Sequence, residues 1–356
     1  MLLHIIPECW LTARQYSGKG VDNLEPTIVD KVGKMIDLLR REYVNKARPV
    51  DMVSLSTFFT LDVLSQIAFG HAFGYLEANE DRYDYIDTMH AFLPILELSA
   101  NHPFVRRIVR SRLVTALLAP KETDKVGMGP IILFAHQAVA QRYKQAETQK
   151  DDQKADMLGS FIRSGLSQGE AESEANLQIL AGSDSTSTVF RMTMLYVVTI
   201  PRVYYALRQE IDAGVRSGAI SRVITDFEAR RLPYLQAVIW EGLRMTPPLF
   251  GLQTKVAPPQ GDTVNGVFFP GGTNVATCPA ALTHRKDIFG DDANVFRPER
   301  WLEADEATHS KYTSTVDLIF GSGRFGCLGR NIGLLELNKV FFEVSTTMPT
   351  NMWTWN

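Results

Sequence analysis

Residues 320–330 read Phe320-Gly321-Ser322-Gly323-Arg324-Phe325-Gly326-Cys327-Leu328-Gly329-Arg330, a lone cysteine in a glycine-dense loop that leads into a helical pattern over Asn331 to Phe342. The glycines permit positive φ and let the backbone lie against a flat partner such as a planar macrocycle. Amides near the N-terminus of the following helix stabilise negative charge on sulfur. The loop therefore predicts a thiolate ligand, with Cys327 bound to iron. Taken alone, it is also compatible with an ordinary cysteine in a tight turn.

Two further motifs precede this loop. Glu241-Gly242-Leu243-Arg244 is an E-x-x-R on the strongly helical stretch Leu235 to Met245, which places its carboxylate and guanidinium on one helix face. Phe296-Arg297-Pro298-Glu299-Arg300-Trp301 then supplies a second arginine from a loop. An E-x-x-R alone is usually a solvated helical ion pair. Three motifs in this order are far more specific.

Together these motifs resemble the cytochrome P-450 family of haem-thiolate monooxygenases. The resemblance runs from about Tyr16-Ser17-Gly18-Lys19 to Leu337-Asn338-Lys339-Val340 and is closest to fungal biosynthetic members related to pisatin demethylase. It implies that Cys327 ligates the iron of haem b, and that Glu241, Arg244 and Arg300 form a buried ion network behind the haem. The planar fork of arginine suits this network because it binds a carboxylate through two hydrogen bonds.

The bulk composition limits the possible functions. The chain has 356 residues, 45% hydrophobic and 22% charged, with a net charge of −3, which is typical of a globular protein. Neither this charge nor a pI near 6.2 favours a nucleic-acid partner, and we exclude that class. Three cysteines, Cys9, Cys278 and Cys327, indicate a reduced, intracellular protein. The first ten residues lack the features of a membrane anchor or signal peptide.

The hydrophobic pattern predicts a mainly α protein with a small β-sheet region. Helix signals recur around 54–69, 82–98, 131–147, 170–199 and 201–216. Short strands and turns are indicated between Phe250 and Ala276, where Asn265-Gly266 marks a tight turn. By resemblance, residues 1–356 form a single partial domain that lacks the N-terminal portion and the last hairpin of the family fold. A misplaced exon boundary or a truncated gene would explain both ends.

One long helix is expected from Ala175 to Thr199, although Ala181-Gly182-Ser183-Asp184-Ser185-Thr186-Ser187-Thr188 places an acid and several hydroxyls in its middle. The stretch is similar to the family's distal-helix motif, with Ser185 where threonine is usual. The resemblance implies that Asp184 with Ser185 or Thr186 relays protons, and that Gly182 leaves room for oxygen. A kinked helix whose hydroxyls bond to carbonyls one turn earlier is the alternative.

The resemblance also implies haem and substrate contacts. In the family loop an arginine precedes the cysteine by two residues. Here Phe325 holds that position and Arg324 stands one earlier, so the usual propionate salt bridge is in doubt and Phe325 is expected to pack on the macrocycle. Phe320 shields the sulfur, and His284 either reaches a propionate or is a surface histidine. The remaining expected haem contacts are Ala181, Gly321, Gly323 and Gly329, and the expected pocket residues are Leu177, Leu180, Pro248, Leu249, Phe250 and Leu252. Trp10 and Arg14 have the W-x-x-x-R spacing of a haem-propionate motif but lie unusually close to Tyr16-Ser17-Gly18-Lys19.

No phosphate-binding motif is present in the sequence, so electrons must come from a partner. The resemblance implies an NADPH-dependent flavoprotein reductase, docking on the ligand side with help from Arg324, Arg330 and Lys339; a solvated basic face is the alternative reading of these charges. It also implies a monomer, located at the endoplasmic reticulum membrane through an N-terminal anchor that this chain lacks.

The leading hypothesis is insertion of one atom of dioxygen into a small apolar intermediate of fungal secondary metabolism. A non-catalytic remnant and a haem-dependent isomerase or dehydratase are the alternatives.

Overall fold

The structure is a computed structural model that describes residues 21, 23–109, 111–118, 120–148 and 156–347, without the side chains of 117, 118, 147, 148 and 324. Within these ranges the chain is mainly helical, and four short strands form two small sheets. The predicted fold class is therefore confirmed. The Trp10 and Arg14 pair lies outside the described residues.

The first half of the described chain consists of helices joined by short connections. A buried aspartate, Asp62, accepts hydrogen bonds from the amides of Gly74, Tyr75 and Leu76, so it anchors the turn that follows the second long helix. The α-helices are Leu24–Leu38, Met52–Phe69, Tyr75–Ala78, Tyr85–Asn101, Pro103–Val109, Arg112–Leu118, Met128–Thr148 and Met157–Arg163, with a π-helix at Leu39–Val44 and a 3-10 turn at Arg82–Asp84.

The second half carries the predicted motifs. Its longer helices are called here the first central helix (Gln168–Gly182), the second central helix (Asp184–Thr199), the E-x-x-R helix (Pro233–Met245) and the final helix (Arg330–Thr347). The remaining α-helices are Pro201–Arg216, Asp226–Ala229, Pro279–Thr283, Lys286–Phe289, Glu299–Glu303 and Glu306–Asp317, with 3-10 turns at Leu318–Phe320 and Gly323–Phe325.

The two central helices correct one detail of the predicted pattern. A single helix was expected through Thr199, but the helix is interrupted at Ser183. Ser183 is fully buried, and its hydroxyl donates to the Ile179 carbonyl at 2.8 Å. A hydroxyl that bonds one turn back bends a helix, which is the alternative that the sequence also allowed.

The strands occur where the sequence predicted them. β1 (Gln253–Val256) pairs antiparallel with β4 (Asn274–Thr277), and β2 (Asp262–Val264) pairs antiparallel with β3 (Val267–Phe269). β2 and β3 are joined by Asn265 and Gly266, at φ 51° and 80°, the left-handed pair that a two-residue hairpin requires.

The core surrounds the central helices. Met52–Phe69 packs against Leu24–Leu38 and both central helices, while the final helix packs against the second central helix and the E-x-x-R helix. By length and composition Met52–Phe69 could cross a membrane, but 72% of it is buried inside the protein. It is therefore explained as a core helix, and the core it belongs to fixes the elements that carry the motifs.

Candidate active site

The cysteine loop, residues Phe320–Arg330, folds back on itself. The Cys327 amide donates to the Phe320 carbonyl at 2.6 Å, and the Phe325 amide donates to the Ser322 carbonyl at 3.2 Å. Gly321 has φ 77°, and a Cβ added there would lie 2.5 Å from the Phe325 carbonyl oxygen. Only glycine fits this position without displacing the loop. The loop thus presents Cys327 as an exposed residue.

The surroundings of the Cys327 sulfur have two opposing effects on the pKa of its thiol. Although the residue is exposed on its open side, neighbouring loop atoms desolvate the thiol and raise its pKa above the ordinary value. Hydrogen bonds from the Gly329 and Arg330 amides and the positive charge of Arg330 oppose this rise in pKa. Arg330 is held in place by Asp317, at 2.7 Å. A metal bound on the open side would add a charge that favours the thiolate.

Exposed apolar side chains lie beside the loop. Phe325 is 49% exposed, and the Lys255 ammonium lies 5.3 Å from the centre of its ring, so β1 runs next to the loop. Just before β1, three large apolar side chains are also exposed: Leu249 at 60%, Phe250 at 51% and Leu252 at 49%. A soft sulfur donor, apolar flanks and a nearby cation fit a haem, whose iron, ring faces and propionates need those three environments.

The acid and hydroxyls of the central helices lie near the final helix. A Cβ added to Gly333 would come within 3.3 Å of Thr186 Oγ1, so the helix that follows Cys327 passes directly beside this hydroxyl. The Ser185 hydroxyl donates to the Ala181 carbonyl at 3.0 Å, whereas the Thr186 hydroxyl has no hydrogen-bond partner among the described residues. Thr186 is therefore the more available proton carrier of the two.

Asp184 has a partner that the sequence did not indicate. Arg191, on the same helix, lies 3.8 Å from the Asp184 carboxylate, and it also donates to the Ser187 hydroxyl at 3.1 Å. The sequence offered only a lone arginine in an apolar helix as a signal. The pair keeps a counter-charge beside the acid, which is half-buried at the helix interruption.

The other predicted residues of the central helices occupy mixed environments. A Cβ added to Gly182 would lie 3.1 Å from Leu64, so this position is packed rather than open. Ala181 is exposed, while Leu177 and Leu180 are half-buried. The structure thus places Ala181 on an accessible surface and sets Gly182 against a neighbouring helix.

Glu241, Arg244 and Arg300 form a buried ion network. The Glu241 carboxylate lies 2.8 Å from Arg244 and 3.0 Å from Arg300, and all three side chains are fully shielded from solvent. The Arg297 amide and the Trp301 indole also donate to Glu241, at 2.8 and 3.0 Å. The carboxylate is therefore fully engaged, as a buried charge must be. The network ties the E-x-x-R helix to the segment that precedes the cysteine loop.

Three further predicted site residues, His284, Phe320 and Lys339, differ in their surroundings. His284 Nδ1 contacts the Ala280 carbonyl at 2.9 Å. Phe320 is half-buried, and the Arg330 guanidinium lies 5.4 Å from the centre of the Phe320 ring. Lys339 corrects the expected reductase surface, because it is 1% exposed and bonds to Glu25 and the Ile224 carbonyl inside the protein. The side chain of Arg324 lies outside the described residues.

Comparison with known proteins gives consistent matches. The family model described as Cytochrome P450 matches residues 10–344. Cytochrome P450 monooxygenase ABA1 of Pyricularia oryzae is 42% identical over 93% of this chain and 65% of its own length. Cytochrome P450 monooxygenase abl1 of Leptosphaeria maculans is 40% identical over 92% of this chain and 58% of its own length. Pisatin demethylase of Fusarium vanettenii is 30% identical over 94% of this chain and 62% of its own length. The chain thus spans less than two thirds of the length of these relatives.

Proposed function

Because the chain belongs to the cytochrome P450 family, we propose that it is a haem-thiolate monooxygenase with haem b bound at Cys327. One observation carries the proposal: the cysteine loop, turned back at Gly321, presents an exposed thiol beside exposed apolar side chains. The family relationship predicted from the three motifs is confirmed.

Each side chain of the proposed site would have its own role. Cys327 would hold the iron, Phe325 and the neighbouring apolar residues would cover the ring, and Lys255 would face its acidic edge. When bound, the haem supplies the activation of dioxygen. Asp184 and Thr186 would move protons toward the site, and Arg191, 3.8 Å from Asp184, would orient it. Glu241 with its two arginines would hold the loop's supporting segment in place.

The proposed substrate class is supported by the side chains predicted to line the pocket. The predicted pocket positions Leu177, Leu180, Leu249, Phe250 and Leu252 are all apolar, which favours a small apolar molecule. The similar proteins named above come from fungi. These two facts support oxidation of an intermediate in fungal secondary metabolism.

The partners are proposed on the same grounds. Electrons would come from an NADPH-dependent flavoprotein reductase, and the protein would act at the endoplasmic reticulum membrane, as the family relationship suggests. Of the three basic residues first considered for docking, Arg330 is half-exposed near the loop and Lys339 is excluded by its burial.

A matched pair of cysteine variants tests the proposal. The chain is produced with haem supply, and dioxygen consumption is followed with NADPH and a flavoprotein reductase. We expect consumption in the unmodified protein and in Cys278→Ala, which removes a thiol elsewhere in the chain, and its loss in Cys327→Ala. Retention of reductase-dependent oxygen consumption by Cys327→Ala would overturn the proposal.

A further inference from the structure

A buried phenol reaches the interruption of the central helices from another part of the fold. The Tyr85 hydroxyl lies 2.7 Å from the Ser183 hydroxyl, and the two residues are 1% and 0% exposed. The single Ser183 proton is already donated to the Ile179 carbonyl, at 2.8 Å. Tyr85 is therefore the donor and Ser183 the acceptor. This bond crosses 98 positions of sequence and ends one residue before Asp184.

The donor is fixed in position and in protonation state. The Tyr85 amide and the Ile86 amide donate to the two oxygens of Asp81, at 3.0 and 2.9 Å, which anchors the start of the helix Tyr85–Asn101. Burial raises the pKa of the Tyr85 phenol well above its ordinary value, and the nearby Asp184 charge adds to the rise. The phenol thus remains protonated, and a hydrogen-bond donor, at neutral pH.

The other end of the same helix reaches the predicted pocket. A Cβ added to Gly251 would lie 2.3 Å from Glu97 Oε1, so Glu97 rests against the segment that carries Leu249, Phe250 and Leu252. One helix therefore contacts Gly251, in the segment that carries the apolar residues proposed to meet substrate, and Ser183, next to the proposed proton relay.

We infer that Tyr85 is a positioning residue: its hydrogen bond to Ser183 stabilises the interruption between the two central helices and so sets the orientation of Asp184 and Thr186. The inference rests on the proposed function, because it assigns Tyr85 an effect on the proton relay of that same site. Without the bond, Ser183 would still bond back to Ile179, but the segment Gly182–Thr186 would lose its hydrogen bond to the helix Tyr85–Asn101.

Two variants remove the bond and one provides a control. Tyr85→Phe deletes the donor alone, whereas Ser183→Ala deletes the acceptor together with the bond to the Ile179 carbonyl. Tyr75→Phe is the matched control, because Tyr75 is also fully buried and its hydroxyl donates to the Arg82 carbonyl at 2.8 Å without touching the central helices. The control loses an equivalent hydrogen bond, so it reports the purely structural cost.

The first readout does not depend on activity. Amide hydrogen exchange of the full chain is measured over residues 179–187. We expect Tyr85→Phe and Ser183→Ala to exchange about two- to tenfold faster there than Tyr75→Phe, the range that corresponds to one net hydrogen bond. Exchange equal to that of the control in both variants would overturn the inference.

The second readout concerns the relay. Reduction of dioxygen to hydrogen peroxide takes two electrons and two protons, and reduction to water takes four of each, so a poorer relay raises the share of peroxide. With NADPH and reductase, we expect the peroxide released per NADPH to rise in both bond-deleting variants and not in Tyr75→Phe. An unchanged peroxide share would contradict the positioning role.

The two proposals fail separately. If the reduced carbon-monoxide spectrum of the unmodified chain shows no thiolate band, the proposed function fails, and the exchange measurement alone still decides whether Tyr85 holds the interruption. If the band is present and the exchange is unchanged, only the inference about Tyr85 fails.

Discussion

Glu241 shows at the scale of one residue how the buried motif is balanced. Its carboxylate offsets the charges of Arg244 and Arg300, and both arginines also donate to backbone carbonyls, such as Ala293 and Phe289. Every polar group of the cluster is thereby satisfied, which is the condition for keeping charges in a core. Removing the Glu241 carboxylate would leave the buried Arg244 without a counter-charge and Arg300 with Asp292 alone.

Replacement of Glu241 by Gln should therefore be strongly destabilising. We expect the free energy of unfolding to fall by about 3–5 kcal/mol, because Arg244 loses its counter-charge and Arg300 keeps only Asp292, while the shape is kept. Urea denaturation measures the change. Glu303→Gln is the control: Glu303 pairs with Arg297 on the surface with 63% of its side chain exposed, and its loss should cost about 0–1 kcal/mol. Equal costs for the two variants would contradict the account.

Two glycines of the cysteine loop should respond differently to alanine. Gly321→Ala brings a Cβ to 2.5 Å from the Phe325 carbonyl at a positive φ, so the loop must shift and haem retention should fall sharply. Gly329→Ala meets nothing within 4 Å and has no positive φ, so it should leave the stability of the chain nearly unchanged. Haem content and thermal unfolding measure the two effects. A larger loss of stability in Gly329→Ala would contradict the loop geometry.

The sequence predicted residue-level contacts best where partners are close in the chain. Glu241 and Arg244 are three residues apart on one helix, so their pairing follows from helix geometry. Asp292, which pairs with Arg300 at 3.0 Å, was not foreseen, since that contact depends on how a loop folds. Lys339 was misread as a surface charge, because its partners, Glu25 and Ile224, lie far away in the sequence.

At the scale of elements, the E-x-x-R helix packs very closely on the second central helix. A Cβ added to Gly242 would lie 1.9 Å from Thr193 Oγ1, a buried atom with no hydrogen-bond partner in the described structure. Gly242 is therefore needed for close approach rather than for an unusual backbone angle. This contact sets the distance between the ion network and the proposed proton relay.

Gly242→Ala should force these two helices apart. We expect a loss of about 1–3 kcal/mol in unfolding free energy, the usual cost of overpacking. Thr193→Ala should be mild on its own and should recover part of that loss in the double variant. Urea denaturation of the unmodified protein, the two single variants and the double variant gives the coupling energy between Gly242 and Thr193. Strictly additive effects would show that the two residues do not meet.

The elements also show what the sequence could not locate. Asn265-Gly266 identified a hairpin because its turn is encoded locally. The interruption of the central helix was allowed by the run of hydroxyl residues, but the hydrogen bond between Ser183 and Tyr85, 98 residues away, could not be read from the local pattern. Local propensity gives the tendency to bend, whereas a tertiary contact at the bend depends on the fold.

For the molecule as a whole, one buried acid links stability to pH. Glu336, on the final helix, is 4% exposed, and its Oε2 atom has no hydrogen-bond partner in the described structure. Burial raises its pKa to about 8. Between the ordinary value of 4.5 and about 8, the unfolded chain loses this proton while the folded chain keeps it. Stability therefore falls as pH rises through this window.

Glu336→Gln should remove that dependence. We expect the variant to gain stability over the unmodified protein between pH 5 and pH 8, by at most about 1.4 kcal/mol for each pH unit. Urea denaturation across this range measures the slope. Glu228→Gln is the contrast, because hydrogen bonds from the Thr225 amide and from Ser221 lower the pKa of Glu228 to about 2. Glu228→Gln should lose stability at neutral pH, and this loss should disappear as the pH falls from 4.5 to about 2. An unchanged slope in Glu336→Gln would contradict the assignment.

In this account, the exposed Cys327 thiol, the apolar residues near it and the buried ion network all serve to bind a haem. The reduced carbon-monoxide difference spectrum tests this most directly, recorded for the chain produced with haem supply and for Cys327→Ala and Cys278→Ala. We predict a strongly red-shifted Soret band in the unmodified protein and in Cys278→Ala, and its loss in Cys327→Ala. A histidine-like band in the unmodified protein, or a red-shifted band that survives in Cys327→Ala, would contradict the account.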